Sequence, residues 1–160
     1  MPHPTAPQPD PQMHAPDPKL RRAFLGSSYG TAAERAWLSE LPGPAPSWAV
    51  GRWGIITAWN PAGQPSDRAG NEQRQRALAA AVEQLGRRSL PGHNGEGEWT
   101  EPALIVKDIG AAELAQLGTR FGQAAVLCGS GTRAALLWLG GGRVIRAERL
   151  WLTIRLPEPA

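Results

Sequence analysis

Seven side chains have the types and positions needed to recognise or transform a small polar molecule: Thr57, Trp59, Asn60, Asn71, Trp99, Glu101 and Gln123. A side-chain amide offers one acceptor and two donors, a carboxylate accepts from donors and cations, and an indole offers a flat face for stacking. All seven fall at the ends of periodic segments, where a rigid scaffold displays binding groups. Apart from Glu72, Glu101 is the only acid in these stretches, so it is the natural general acid or base if chemistry occurs. A lone carboxyl needs a partner group or a shifted pKa for such work. Simpler roles also suffice: Asn60 in an Asx turn before Pro61, Asn71 as a helix N-cap, and Glu101 and Gln123 bonded to loop backbone.

Other chemistries have weaker footing. His93, Glu96, Glu98 and Glu101 could gather round a hard or borderline metal, but their glycine-interrupted spacing matches no metal motif. Neither a G-x-G-x-x-G run nor a P-loop occurs, so the expectation is no metal and no cofactor. Cys128, followed by Gly129-Ser130-Gly131, reads as a small apolar side chain at a strand end rather than a nucleophile. Arg133, Arg143, Arg146, Arg149 and Arg155 would give a C-terminal hairpin a basic face, with Trp138 and Trp151 as stacking surfaces for single-stranded nucleic acid. A charge run is more often a solvated face, and no RNP-like aromatic signature accompanies it. The leading expectation is a non-enzymatic module for a small polar ligand or protein partner. An enzyme using Glu101 and nucleic-acid binding by the hairpin are the alternatives.

Composition narrows the setting. Seventeen basic residues face 14 acidic ones, a net charge of +3 that permits nucleic-acid contact without arguing for it. One cysteine excludes an intramolecular disulfide and a Cys-built metal site, and fits a reducing cytoplasm. Leu20-Arg21-Arg22-Ala23-Phe24-Leu25 superficially resembles a twin-arginine export signal, but Gly26-Ser27-Ser28 follows instead of an apolar run. No stretch approaches the roughly 20 apolar residues of a membrane span.

These residues have to be positioned by a scaffold that local patterns outline. Residues 1–18 are Pro-rich, with hardly an apolar side chain larger than Ala, and read as a disordered arm. A polyproline ligand is the rival reading, but no PxxP core with flanking Arg stands out. Over 19–47, helical spacing of Leu20, Ala23 and Phe24, then of Ala33, Ala36, Trp37 and Leu41, predicts two short helices followed by a Pro-rich linker. Residues 48–156 read as one compact α/β domain of the α+β kind, and 157–160 as a tail.

Within that domain Ile55–Trp59 is a strand, ending in an Asn60-Pro61 turn. Residues 71–85 form the clearest helix, with Asn71 as N-cap and Gly86 beyond its C-terminus. A weak edge strand near 87–94, a buried strand at Ala103–Lys107, a second helix opened by Gly110, and strands at Ala124–Cys128, Arg133–Leu139 and Leu150–Leu156 complete the order. This suggests a mixed or antiparallel sheet with two main helices, in a ferredoxin-like, split βαβ arrangement extended at one edge.

Ile56-Thr57-Ala58-Trp59-Asn60-Pro61, Asn71-Glu72, Trp99-Thr100-Glu101-Pro102 and Phe121-Gly122-Gln123-Ala124 follow one another in an order that resembles a bacterial family known as domain of unknown function 3293. That family repeats a TAWNP strand end, an Asn at the next helix start, a W-x-E-P step and an FGQ-A segment. The resemblance covers about Trp53 to Leu127. Ala103 stands where the family often has Ser, and the N-terminal part departs from the family's strand-rich opening. The resemblance implies a site around these motifs and names no activity.

Overall fold

The structure, a computed structural model, describes residues 16–155. The expected arm therefore lies outside the described residues as far as residue 15, as do residue 156 and the expected tail at 157–160.

The first element is helix α1 (Pro18–Gly26), whose Asp17 side chain accepts from Lys19 N while Pro18 supplies the preset φ of a first helical turn. Strand β1 (Ser28–Gly30) follows. The second expected helix is instead strand β2 (Arg35–Ser39). Its spacing fits either period over so short a run, and pairing decides: β2 is hydrogen-bonded on one side to β1 and on the other to the last strand. Ala36 then turns fully inward, and Trp37 points the other way.

Strand β3 (Arg52–Ile56) ends three residues earlier than expected, because Thr57 and the residues after it turn away from the sheet. Helix α2 (Arg68–Gln84) begins at Asp67, whose carboxylate accepts from Gly70 N. The N-cap is thus Asp67, and Asn71 lies inside the first turn with its side chain buried. Gly86, at φ 71°, ends the helix as expected. Strands β4 (Ser89–Asn94) and β5 (Glu101–Lys107), helix α3 (Ala111–Arg120) capped at Gly110, and strands β6 (Ala125–Ser130), β7 (Arg133–Gly140) and β8 (Arg143–Thr153) complete the chain. No helix of the described residues is long and apolar enough to cross a membrane.

One eight-stranded sheet, antiparallel throughout, runs β1-β2-β8-β7-β6-β3-β5-β4. Its half β6-β3-β5-β4, with α2 and α3 as crossovers, is the split βαβ arrangement, and the other four strands extend it beyond β6. The extension curls back until the two edges meet: Gly95 N, just past β4, donates to Ser28 O of β1 at 2.8 Å. The sheet is therefore nearly a barrel.

Alternation sends successive side chains to two cores. Tyr29, Trp53, Ile55, Ile105, Leu127, Leu136, Trp138 and Leu152 fill the inside. Ile56, Val106, Val126 and Leu137 face outward under Leu78 and Val82 of α2 and Leu114 and Leu117 of α3. Gly54 permits that second packing, since a Cβ there would sit 2.8 Å from Leu114 Cδ2 and 2.9 Å from Ile109 Cγ2. Helix α1 covers one end of the near-barrel, with Leu20, Phe24 and Leu25 against the inner core. Arg21 clasps Glu148 through Nε and Nη2, at 2.9 and 2.7 Å to Oε1, and Trp138 Nε1 donates to the other carboxylate oxygen at 2.8 Å.

Candidate functional site

A cleft of about 680 Å³ opens at the end of the near-barrel that α1 covers. Thr57 at the close of β3, Asn94 at the close of β4, Glu101 opening β5 and Ala124 just before β6 all reach this end, because those four strands finish or begin there. Leu20, Ala23 and Phe24 of α1 form the facing wall, and Tyr29 and Trp59 add aromatic surface. Trp99 stands at the rim, 84% exposed, on a short turn between Gly95 and Glu101.

Of the seven singled-out residues, the structure places Thr57, Trp59, Asn60, Trp99, Glu101 and Gln123 around this cleft. Asn71 stands behind it. Its Nδ2 donates to Asn60 Oδ1 at 2.8 Å and to Ser66 O at 3.2 Å, and its Oδ1 accepts from Asn60 N at 2.9 Å and from Arg74 Nη2 at 2.6 Å. Asn60 adopts the left-handed conformation, φ 43°, which Asn tolerates better than most residues. With its Oδ1 held by Asn71 Nδ2 and Ser66 N, Asn60 has only its amide nitrogen to turn to the cleft, and this donates to Glu101 Oε1 at 3.1 Å. A relay from Arg74 through Asn71 and Asn60 thus fixes Glu101. A shallower hollow of about 450 Å³ lies against Asn60 and Asn71 beside His93, Arg68 and Pro102.

Thr57 Oγ1 donates to Pro102 O at 2.7 Å and accepts from Trp59 N at 3.0 Å, tying the end of β3 to the start of β5. Gln123 Nε2 donates to Trp59 O and Phe121 O, each at 3.3 Å. Burial raises the Glu101 carboxyl above its ordinary range, opposed by the Asn60 donor. Burial likewise keeps the Tyr29 hydroxyl protonated, and it donates to Phe24 O at 2.6 Å.

Three side chains that line the cleft hold an acceptor that no described residue answers. Asn94 Oδ1 is buried without a partner among the described residues. Among the described residues Glu101 Oε2 accepts no bond, and Gln123 makes both its side-chain hydrogen bonds through Nε2.

Residues 56–126 match the model of a family described as a protein of unknown function, DUF3293. The matched segment begins at the end of β3 and finishes in β6, so it holds all seven candidate residues and the relay behind Glu101. No curated protein matches the chain, and no solved structure does.

The remaining candidates are not brought together in the expected way. Glu96, Glu98 and His93 form no cluster with Glu101, and among the described residues no three acids, histidines or cysteines gather as metal ligands. Burial raises the Cys128 thiol, which opposes a thiolate. Trp138 is 3% exposed and bonded to Glu148, so it offers no stacking surface. Arg146 pairs with Trp138 and Arg149 with Ala135, an odd step apart on β8, so the hairpin arginines divide between two faces.

Sequence reading missed Asn94, Tyr29 and the α1 wall. Asn94 reaches the TAWNP turn through its pairing with Glu101 on β5, and Tyr29 meets it only when the sheet curls closed; no local pattern records either.

Proposed function

We propose that this protein is a binding domain whose cleft takes a small organic amine, an aromatic or aliphatic body carrying an ammonium group. What carries the reading is that Asn94, Glu101 and Gln123, each with an oxygen that no hydrogen bond among the described residues answers, line one aromatic-walled cleft of about 680 Å³. That volume suits a small molecule. An ammonium brings three donors and no acceptor, and aromatic faces attract it through their quadrupoles. A carboxylate steadied by a single neutral amide has the charge to complete the site. The single thiol and the lack of any long apolar helix among the described residues support a cytoplasmic setting.

Calorimetric titration of the full chain with tryptamine, its neutral alcohol analogue and its carboxylic acid analogue tests this. The amine is expected to bind at least about tenfold more tightly than either analogue, a difference of about 1.4 kcal/mol. Glu101→Gln should erase the preference. Equal binding of the three, or none, would overturn the proposal.

A further inference from the structure

A second surface, unrelated to the cleft, lies on the outside of the near-barrel where strands β7, β8 and β2 run side by side, past Leu137 and Leu139 of β7, which the helix layer covers. The registers Arg133↔Trp151, Ala135↔Arg149 and Trp37↔Thr153 put Arg133, Arg149, Trp151 and Trp37 on one face. It is the outer face, since the neighbours of opposite parity, Ala36, Ala134 and Leu152, belong to the inner core. Trp37 and Trp151 are diagonal neighbours on paired strands, a separation of roughly 7–8 Å.

Each indole carries a guanidinium. Arg133 Cζ lies 5.7 Å from the Trp151 ring centre, and Arg155 Cζ lies 4.2 Å from that of Trp37. Arg133, Arg149 and Arg155 are exposed, and none forms an ion pair among the described residues. No acid occupies an outward position on these three strands. Glu148 points inward to Arg21, and Glu40 lies close enough to raise Arg21 as well, at the α1 end.

We infer that this face binds single-stranded nucleic acid, with bases stacking on Trp37, Trp151 and the guanidinium planes above them while Arg149 and the guanidinium edges meet phosphates. Charge selects a polyanion, and paired stacking platforms select one with unpaired bases. A guanidinium lying on an indole keeps its N–H edge free for phosphate, so the existing stacks prepare the contact. A second copy of the chain is a poor occupant, because a two-fold contact would set arginine against arginine. Recognition of this kind tolerates most sequences.

The test is fluorescence anisotropy of the full chain with labelled 15-mers of deoxythymidine and uridine, a duplex of the same length, heparin and anionic phospholipid vesicles, from 20 to 200 mM salt. The expected result is binding of the single strands in preference to the other three probes. Three phosphate contacts predict a slope of log K against log salt of about −2. Trp151→Ala should weaken binding about fivefold or more and leave the slope unchanged. Arg149→Glu, at an exposed position with no side-chain hydrogen bond, should abolish binding at the higher salt while keeping the folded circular dichroism spectrum. No binding at 20 mM salt would overturn the proposal, as would duplex, heparin or vesicles binding as tightly as the single strands. So would an Arg149→Glu variant that binds unchanged.

Discussion

Asn60 and Asn71 hold each other by a reciprocal pair of hydrogen bonds: Asn60 N donates to Asn71 Oδ1 at 2.9 Å, and Asn71 Nδ2 donates back to Asn60 Oδ1 at 2.8 Å. The pair joins the turn after β3 to the first turn of α2. It also decides which atom of Asn60 reaches Glu101, since both amides have their oxygens already engaged. Orientation of the carboxyl is therefore set two residues back from the cleft, on a helix rather than on a loop.

Removing the second member should show this. Asn71→Ala deletes four hydrogen bonds and leaves Asn60 N without its acceptor, while Arg74 keeps Ser66 Oγ and Ala58 O. Unpaired buried groups cost about 1–3 kcal/mol each, so a loss of about 2–4 kcal/mol is expected in urea denaturation. The double variant with Asn60→Ala should lose clearly less than the sum of the two single variants.

Glu101 supplies a pH test. Its carboxyl is raised in the folded protein, chiefly by burial, so the folded state binds its proton more tightly than the unfolded state does. The stability tied to that proton is complete below the ordinary glutamate pKa and is lost as pH rises through the folded value. Melting temperature should therefore decline over that window in the native protein, and the decline should be smaller in Glu101→Gln. Ligand affinity should move oppositely, an amine binding better as Glu101 ionises. Identical pH profiles for the two proteins would refute the assignment.

Glu148 behaves in the reverse sense. Hydrogen bonds from Arg21, the largest cause, and from Trp138 lower its carboxyl, so its contribution is present above the ordinary glutamate range and is lost as pH falls through the folded value. Glu148→Ala leaves Trp138 Nε1 without its acceptor inside the core and removes the Arg21 tie to α1, whose Leu20, Phe24 and Leu25 stay packed on the sheet. A loss of about 1–3 kcal/mol is expected, with a red shift of tryptophan emission as Trp138 meets water.

The contrast between what was and was not legible follows contact range. Helix α2 showed in the spacing of Leu78, Ala81 and Val82, and α3 in Leu114 and Leu117, because a helix writes its buried face every three to four residues. The ferredoxin-like half followed from the alternation of those helices with apolar strands. Strand β2 failed because five residues, two of them with helix-compatible spacing, carry no period that pairing cannot override. The cap differs for a local reason: Ser66-Asp67 is a helix-opening signal in its own right, and it stands a full turn before Asn71, the expected cap. Six of the seven candidate residues line one cleft, whereas Asn94 and the diagonal pair Trp37 and Trp151 depend on long-range strand pairing and Tyr29 on sheet closure.

Two glycines separate space from backbone freedom. Gly54 lies in β3 where a methyl would press on Leu114 and Ile109, both almost wholly buried, so Gly54→Ala should destabilise by about 1–3 kcal/mol through overpacking. Gly26 closes α1 with nothing within 4 Å of its would-be Cβ and with ordinary backbone angles. Gly26→Ala should therefore stabilise by about 0.4–1 kcal/mol, by narrowing the unfolded ensemble. Opposite shifts in the urea midpoint, with unchanged slopes, are the expected readout. A Gly54→Ala variant as stable as the parent would mean that α3 has room to move off β3, and with it that the helix layer does not fix the spacing of β3 and β6 at the cleft.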